Sequence, residues 1–211
     1  MHLSDITETG IALDIDETLS ATGDHWAEIL NETFGNPENL SVAEIIKKYR
    51  YASHVPYWQT PEALAWMENA RHSDEFQGLI PLIENSNHIA NKLKSIVPIS
   101  AYITVRPESV RSGTMKWLAK HGFPKAPIIM RPADVLHVDG NKWKAEILTK
   151  IYPKVWGIID DNPRLITYLP DDYQGTVFLY DHEEIDTKKI HIIPVKKWED
   201  MITVVTDNLR S

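Results

Sequence analysis

Five short apolar runs punctuate the chain, at Gly10 to Ile15, Ile99 to Ile103, Pro127 to Met130, Val155 to Ile159 and Thr176 to Tyr180, and each reads as a buried strand. Between and after them the apolar positions recur at helical spacing. Val110, Thr114, Trp117, Leu118 and His121 share one face after the second run, and Ala145, Leu148, Ile151 and Tyr152 share another before the fourth. Trp198, Met201, Ile202, Val205 and Leu209 mark an amphipathic C-terminal helix whose apolar face is most simply core. Strands alternating with helices are what a parallel sheet covered on both sides requires, so the pattern predicts a Rossmann-like, doubly wound α/β fold. Ligands of such sheets sit beyond the carboxyl ends of the strands.

One stretch breaks the rhythm. Between the first and second runs lie about 80 residues with no convincing strand, too long for a single crossover helix. Trp26, Ile29, Leu30 and Phe34 fit one helical face and Val42, Ile45, Ile46 and Tyr49 another, while Leu82, Ile83, Ile89, Ala90, Leu93 and Ile96 describe a helix returning to the core. The expected organisation is therefore an α/β core of residues 1–20 and 80–211, with an α-helical cap of residues 21–79 inserted after the first strand. Aromatic and basic residues crowd that insertion. Trp26 and Tyr49 lie on its apolar faces, whereas His54, Tyr57 and Trp58 fall in or near a connection around Pro56 and are candidate substrate contacts. Stacking on a nucleobase is one physical use for such residues.

The chemistry sits at the strand ends. Asp14-Ile15-Asp16-Glu17-Thr18 follows Ile11-Ala12-Leu13, and alternation points both Asp side chains to one face. Short acids at a strand end can simply accept turn or cap hydrogen bonds. Paired carboxylates beside a buried strand are costly, however, and a divalent cation is their natural partner. Asp14 would serve as nucleophile and magnesium ligand, Asp16 as a proton carrier with a pKa raised by burial and like charge, and Thr18 as a hydroxyl of the same loop. Glu17 is expected to be solvated.

Two later runs end in residues that such a site needs. Ile99 to Ile103 is followed by Thr104, whose hydroxyl can take a phosphate oxygen, and Val105-Arg106-Pro107 is expected to lead into a helix whose N-terminus favours an anion. Arg106 can hold phosphate or pair with a neighbouring acid. Val155 to Ile159 is followed by Asp160-Asp161, with Asp160 the candidate second metal ligand and Asn162-Pro163 shaped as N-cap and first helical residue. Several acids and a phosphate need a further cation, supplied by Lys144 or by Lys142.

Laid out in this order, Asp14-x-Asp16-x-Thr18, Thr104, Lys144 and Asp160-Asp161 resemble the four motifs of the haloacid dehalogenase (HAD) superfamily, over about residues 8 to 182. The resemblance implies a Mg²⁺-dependent aspartyl-phosphate mechanism, with Asp14 as nucleophile, Asp16 as acid/base, and Asp14, Asp160 and Asp16 through its main-chain carbonyl on the metal. It also implies that the insertion closes over the site and chooses the substrate. An acid at Asp16 favours phosphatase or phosphomutase over dehalogenase and transport ATPase. Arg106-Pro107-Glu108 with Lys144-x-Glu146-Ile147 and Asp160-Asp161 is more weakly similar to the phosphatase domain of phage-type polynucleotide kinases. The Asp14 string is similar to secreted acid phosphatases, and an intracellular nucleotidase or a general small-phosphate phosphatase is the better reading of the whole.

Composition narrows the field. The formal net charge of the 211 residues is −8 and no basic run interrupts it, so extended nucleic-acid binding is not expected. Cysteine is absent, which removes disulfides and thiol chemistry, and the nine histidines show no zinc-hydrolase spacing. No run approaches a membrane-spanning length, so a cytoplasmic protein without membrane association is expected of a full-length chain. The expected function is hydrolysis of a small phosphorylated metabolite, with a nucleotide as one candidate, by a monomer or homodimer. A phosphomutase or phosphotransferase on the same fold and a non-catalytic phosphate-binding module are the alternatives.

Overall fold

The computed structural model describes residues 5–184 and 190–210. The outermost ends of the expected core, 1–4 and 211, lie outside that range. Six strands form one parallel sheet: β1 (Gly10–Leu13), β2 (Ile99–Pro107), β3 (Ile128–Arg131), β4 (Val155–Asp160), β5 (Thr176–Tyr180) and β6 (His191–Val195), in the order β3-β2-β1-β4-β5-β6. That is a doubly wound order, and its switch point lies at β1, where the chain first steps one way to β2 and later crosses to β4 on the other side.

Alternation along the strands feeds two cores. Ile11 and Leu13 of β1, Tyr102 of β2 and Ile159 of β4 point to one face. There they meet α5 (Ser86–Lys94), α6 (Arg111–Lys120) and α9 (Trp198–Arg210) through Leu93, Trp117 and Trp198. Ala12, Ala101, Ile103 and Ile158 point to the other face, where α7 (Gly140–Ile151) and α8 (Pro163–Tyr168) supply Ala145, Leu148 and Leu165. The C-terminal helix is thus core, as its apolar face predicts. Among the described residues no helix is long and apolar enough to cross a membrane.

β3 and β4 differ from the sequence reading by one residue at one or both ends, and the strands depart further from it in three places. β1 stops at Leu13, because beyond it the chain turns: the amides of Leu19 and Ser20 both donate to the carbonyl of Ile15, and Glu17 adopts a left-handed φ of 58°. β2 runs past Thr104 to Pro107, and a single 3-10 turn then separates it from α6, so no helix N-terminus abuts Thr104. β6 is an additional strand. Its Pro194 lacks an N–H, which only an edge position tolerates, and β6 is an edge.

Four helices occupy the long insertion: α1 (Thr22–Phe34), α2 (Val42–Tyr49), α3 (Pro61–Arg71) and α4 (Asp74–Leu79). α2 begins on a full capping box between Ser41 and Glu44, and α3 on the Thr60 hydroxyl with Pro61 in its first turn. Ala27, Leu30, Ile45, Val55, Trp58 and Met67 form their own buried cluster. α4 packs closely on α6. The Gly113 amide donates to the Asp74 carboxylate (2.7 Å), and a Cβ added at Gly113 would fall on the Asp74 backbone. Gly113→Ala is therefore expected to cost about 1–3 kcal/mol by overpacking, read as a lower urea midpoint with unchanged m-value.

Candidate active site

The β1–β4 ladder brings the acids together. Leu13 is in register with Ile159, and the Asp14 amide donates to the Ile159 carbonyl (2.9 Å), so Asp14 and Asp160 leave neighbouring strands side by side at the switch point. Asp14, Asp160 and Asp161 are all buried, and one carboxylate oxygen from each lies within 4.8 Å of the others. Thr18 ties the two tips. Its hydroxyl accepts from the Asp161 amide (3.1 Å) and lies 3.4 Å from the Asp161 carboxylate, while its carbonyl accepts from the Trp198 indole (2.8 Å).

Lys144, only 1% exposed, lies between the first two acids, with Nζ 2.7 Å from Asp14 and 2.8 Å from Asp160. Lys142 is exposed on the same helix, so the choice between the two lysines falls on Lys144. One buried ammonium, with the half-exposed Arg50 guanidinium 3.9 Å from Asp161, does not balance three carboxylates. Burial, joined by the nearby charges of Asp160 and Asp16, pushes Asp14 up to about 7 against the pull of Lys144. Burial and the carboxylates of Asp160 and Asp14 likewise raise Asp161 well above the ordinary range. The surplus negative charge and the all-oxygen donor set fit a hard divalent cation such as Mg²⁺.

Asp16 departs from its sequence reading. Its side chain is not in the three-acid group: it is gripped by Arg106, whose Nε lies 3.0 and 3.1 Å from the two oxygens and whose Nη2 lies 2.7 Å from one of them. The Thr22 hydroxyl donates a further bond (2.6 Å). Burial pushes the Asp16 carboxyl upward, but Arg106 and Thr22 outweigh it and hold the pKa below its ordinary value, not above it. Of the two roles open to Arg106, pairing with an acid is the one seen. Arg106 is 4% exposed, Nη2 also reaches the Ser20 hydroxyl (3.0 Å), and Nη1 is buried with no partner.

Other residues fall less simply. Thr104 is fully buried, accepts from the Arg106 amide (3.1 Å), and is absent from the cavity wall. Glu17 is half-buried rather than solvated; it accepts from the Gly23 amide, and burial lifts it to about 7. A cavity of roughly 420 Å³ opens over Asp14, Asp16, Arg106, Lys144 and Asp161; its wall also includes Trp26, Tyr51, His54 and Arg71, and Arg50, whose Nη2 lies 3.9 Å from the Asp161 carboxylate. His54 therefore does face the cavity. Tyr57 and Trp58 do not: Trp58 is fully buried and donates to the Gly35 carbonyl (3.0 Å), and Tyr57 packs edge-on against Tyr49 and Trp58. The aromatic signal around Pro56 is packing of the insertion's own core.

No protein-family model matches the chain, and no curated protein matches it. Fifteen chains of solved structures do. A HAD-superfamily hydrolase from Ehrlichia chaffeensis is 14% identical, with 96% of this chain and 99% of that one covered and a TM-score of 0.48. The HAD-hydrolase YfnB from Bacillus subtilis, solved bound to magnesium, is 13% identical over 94% of this chain and 98% of its own, also at 0.48. What the site does must be argued from its own side chains.

Proposed function

We propose that the protein is a magnesium-dependent phosphatase of the HAD type, acting on a small phosphomonoester through an aspartyl-phosphate. The observation that carries this reading is Lys144 set between Asp14 and Asp160 at the switch point, with Asp161 completing a buried, charge-deficient carboxylate group. Asp14 and Asp160, with Asp161 beside them, would hold the cation. Bound there, Mg²⁺ supplies charge neutralisation for an incoming phosphate.

The chain's own groups then divide the work. An Asp14 oxygen attacks phosphorus, forming the P–O bond to the enzyme as the bond to the leaving oxygen breaks, and that oxygen takes its proton from solvent water because Asp16 is already ionised. Lys144 offsets the charge of Asp14 and Asp160, which lets a phosphate dianion approach. Arg106 lines the same cavity and, while gripping Asp16, keeps a positive charge near the incoming phosphate. Asp16, held ionised by Arg106, is set for the second half-reaction, in which it takes the proton of the water that clears the phosphorylated Asp14. The cavity, roughly 420 Å³, suits a leaving part that is a small molecule, and Trp26 and Tyr51 on its wall offer faces for a nucleotide base.

The test is phosphate release from nucleotides, sugar phosphates and an aryl phosphate, with magnesium and with chelator. Release is expected with magnesium and not without it; metal-independent release, or none from a folded chain, overturns the reading. Independently of turnover, Mg²⁺ is expected to raise the melting temperature. At a concentration a hundred times its dissociation constant the linkage is worth about 2.7 kcal/mol, several degrees for a chain of this size. A melting temperature that ignores magnesium would leave the carboxylates without their cation.

A further inference from the structure

The insertion contributes several donors to the cavity wall. Trp26 of α1 and Arg71 of α3 line it together, the guanidinium lying over the indole at 5.7 Å from the ring centre. The indole N–H of Trp26 is buried and has no partner, a deficit that costs about 1–3 kcal/mol unless something fills it. His137 lines the same cavity from the loop after β3. It is crowded by like charge: beyond its burial, Arg71 and Arg131 press its pKa down to about 4. Arg131 is likewise depressed, by burial first and then by Arg71.

Little negative charge answers this group. Asp16 is engaged by Arg106, and Glu68 divides an exposed carboxylate between Arg71 and His72. Arg131 is not in the cavity wall and donates to the Val105 (3.0 Å) and Val135 carbonyls, and His137 is neutral, so Arg71 is the cation of this recess, and its acid, Glu68, is exposed. Two features ask for the same occupant: an indole donor without an acceptor, and an arginine on the cavity wall whose acid is exposed to solvent. The occupant must bring acceptor oxygens with negative charge.

We propose that the recess of Trp26, Arg71 and His137 receives a second anionic group on the leaving part of the substrate, so that the preferred substrates are phosphomonoesters also bearing a carboxylate or a second phosphate. This rests on the reading of the Asp14 site as the phosphate site. Both positions line one cavity, so a single small molecule can span them.

The test uses three esters on one carbon skeleton: glycerol 1-phosphate, 3-phosphoglycerate and glycerol 1,3-bisphosphate. Phosphate release (kcat/KM) with magnesium and calorimetric affinity without added metal are compared for the native chain, Arg71→Gln and Arg71→Lys. The native chain is expected to favour at least one charged ester over glycerol 1-phosphate by tenfold or more. Arg71→Gln should reduce that ratio at least tenfold and Arg71→Lys should keep part of it; which ester wins separates carboxylate from phosphate. An equal or reversed ratio in the native chain, or a ratio that survives Arg71→Gln, overturns the proposal. If no ester is hydrolysed, an aryl phosphate included, the phosphatase reading fails. The affinities still decide the recess: tighter binding of a charged ester that is lost in Arg71→Gln supports it, and equal binding overturns it.

Discussion

Asp14→Asn is expected to abolish phosphate release, by about 10⁴-fold or more, without unfolding the chain. The amide is nearly the same size as the carboxylate but is too poor a nucleophile to form the P–O bond to phosphorus. The fold should tolerate it for an electrostatic reason. Asp14 is buried among Asp16, Asp160 and Asp161, and its charge is resisted strongly enough to raise its pKa to about 7. A neutral group there relieves repulsion, and Lys144 keeps Asp160 at 2.8 Å. Single-turnover phosphate release and a melting curve check both halves. Residual turnover within tenfold of the native rate would remove Asp14 from the nucleophile's role.

Lys144→Met should be the most damaging single change to stability. Methionine matches the stem but leaves Asp14 and Asp160 buried without the ammonium that both contact. Removing one partner of a buried pair costs about 3–5 kcal/mol, because the stranded charge cannot reach water. A urea titration should show a loss of that size and activity should vanish with it. Two compensations follow from the same cause. Mg²⁺ should restore part of the stability by taking over the charge, and Lys144→Met combined with Asp14→Asn should lose less than the sum of the two single changes. Strict additivity would mean that the two side chains are not coupled.

How much of this was legible beforehand differs residue by residue. The ends of β1 and β4 were readable because an apolar run stopping at acids has few inexpensive explanations, and a parallel sheet collects strand ends at one edge. Trp198 and Val205 were readable as core from helical spacing, and both are buried against the sheet. β6 was missed because His191–Val195 contains Pro194, which argues against a strand until the strand is known to be an edge. Tyr57 and Trp58 were misplaced because a loop aromatic near proline looks the same in sequence whether it faces a ligand or fills a core. Trp26 and Arg71 were signalled only as members of an insertion crowded with aromatic and basic residues, and His137 had no such signal; they come from α1, α3 and the segment after β3, and only folding brings them to one wall.

Local pattern, then, determined the kind of sheet, the residue types at its carboxyl edge and the presence of a helical insertion, because alternation, helical spacing and turn residues act over a few positions. The tertiary structure alone decided which charges meet. Lys144 rather than Lys142 reaches the acids because its face of α7 is the buried one. Asp16 is ionised rather than proton-bearing because Arg106, 90 residues away in sequence, closes on it. A pKa is set by burial and by neighbours within a few ångströms, and no stretch of chain records those neighbours until the strands are in register.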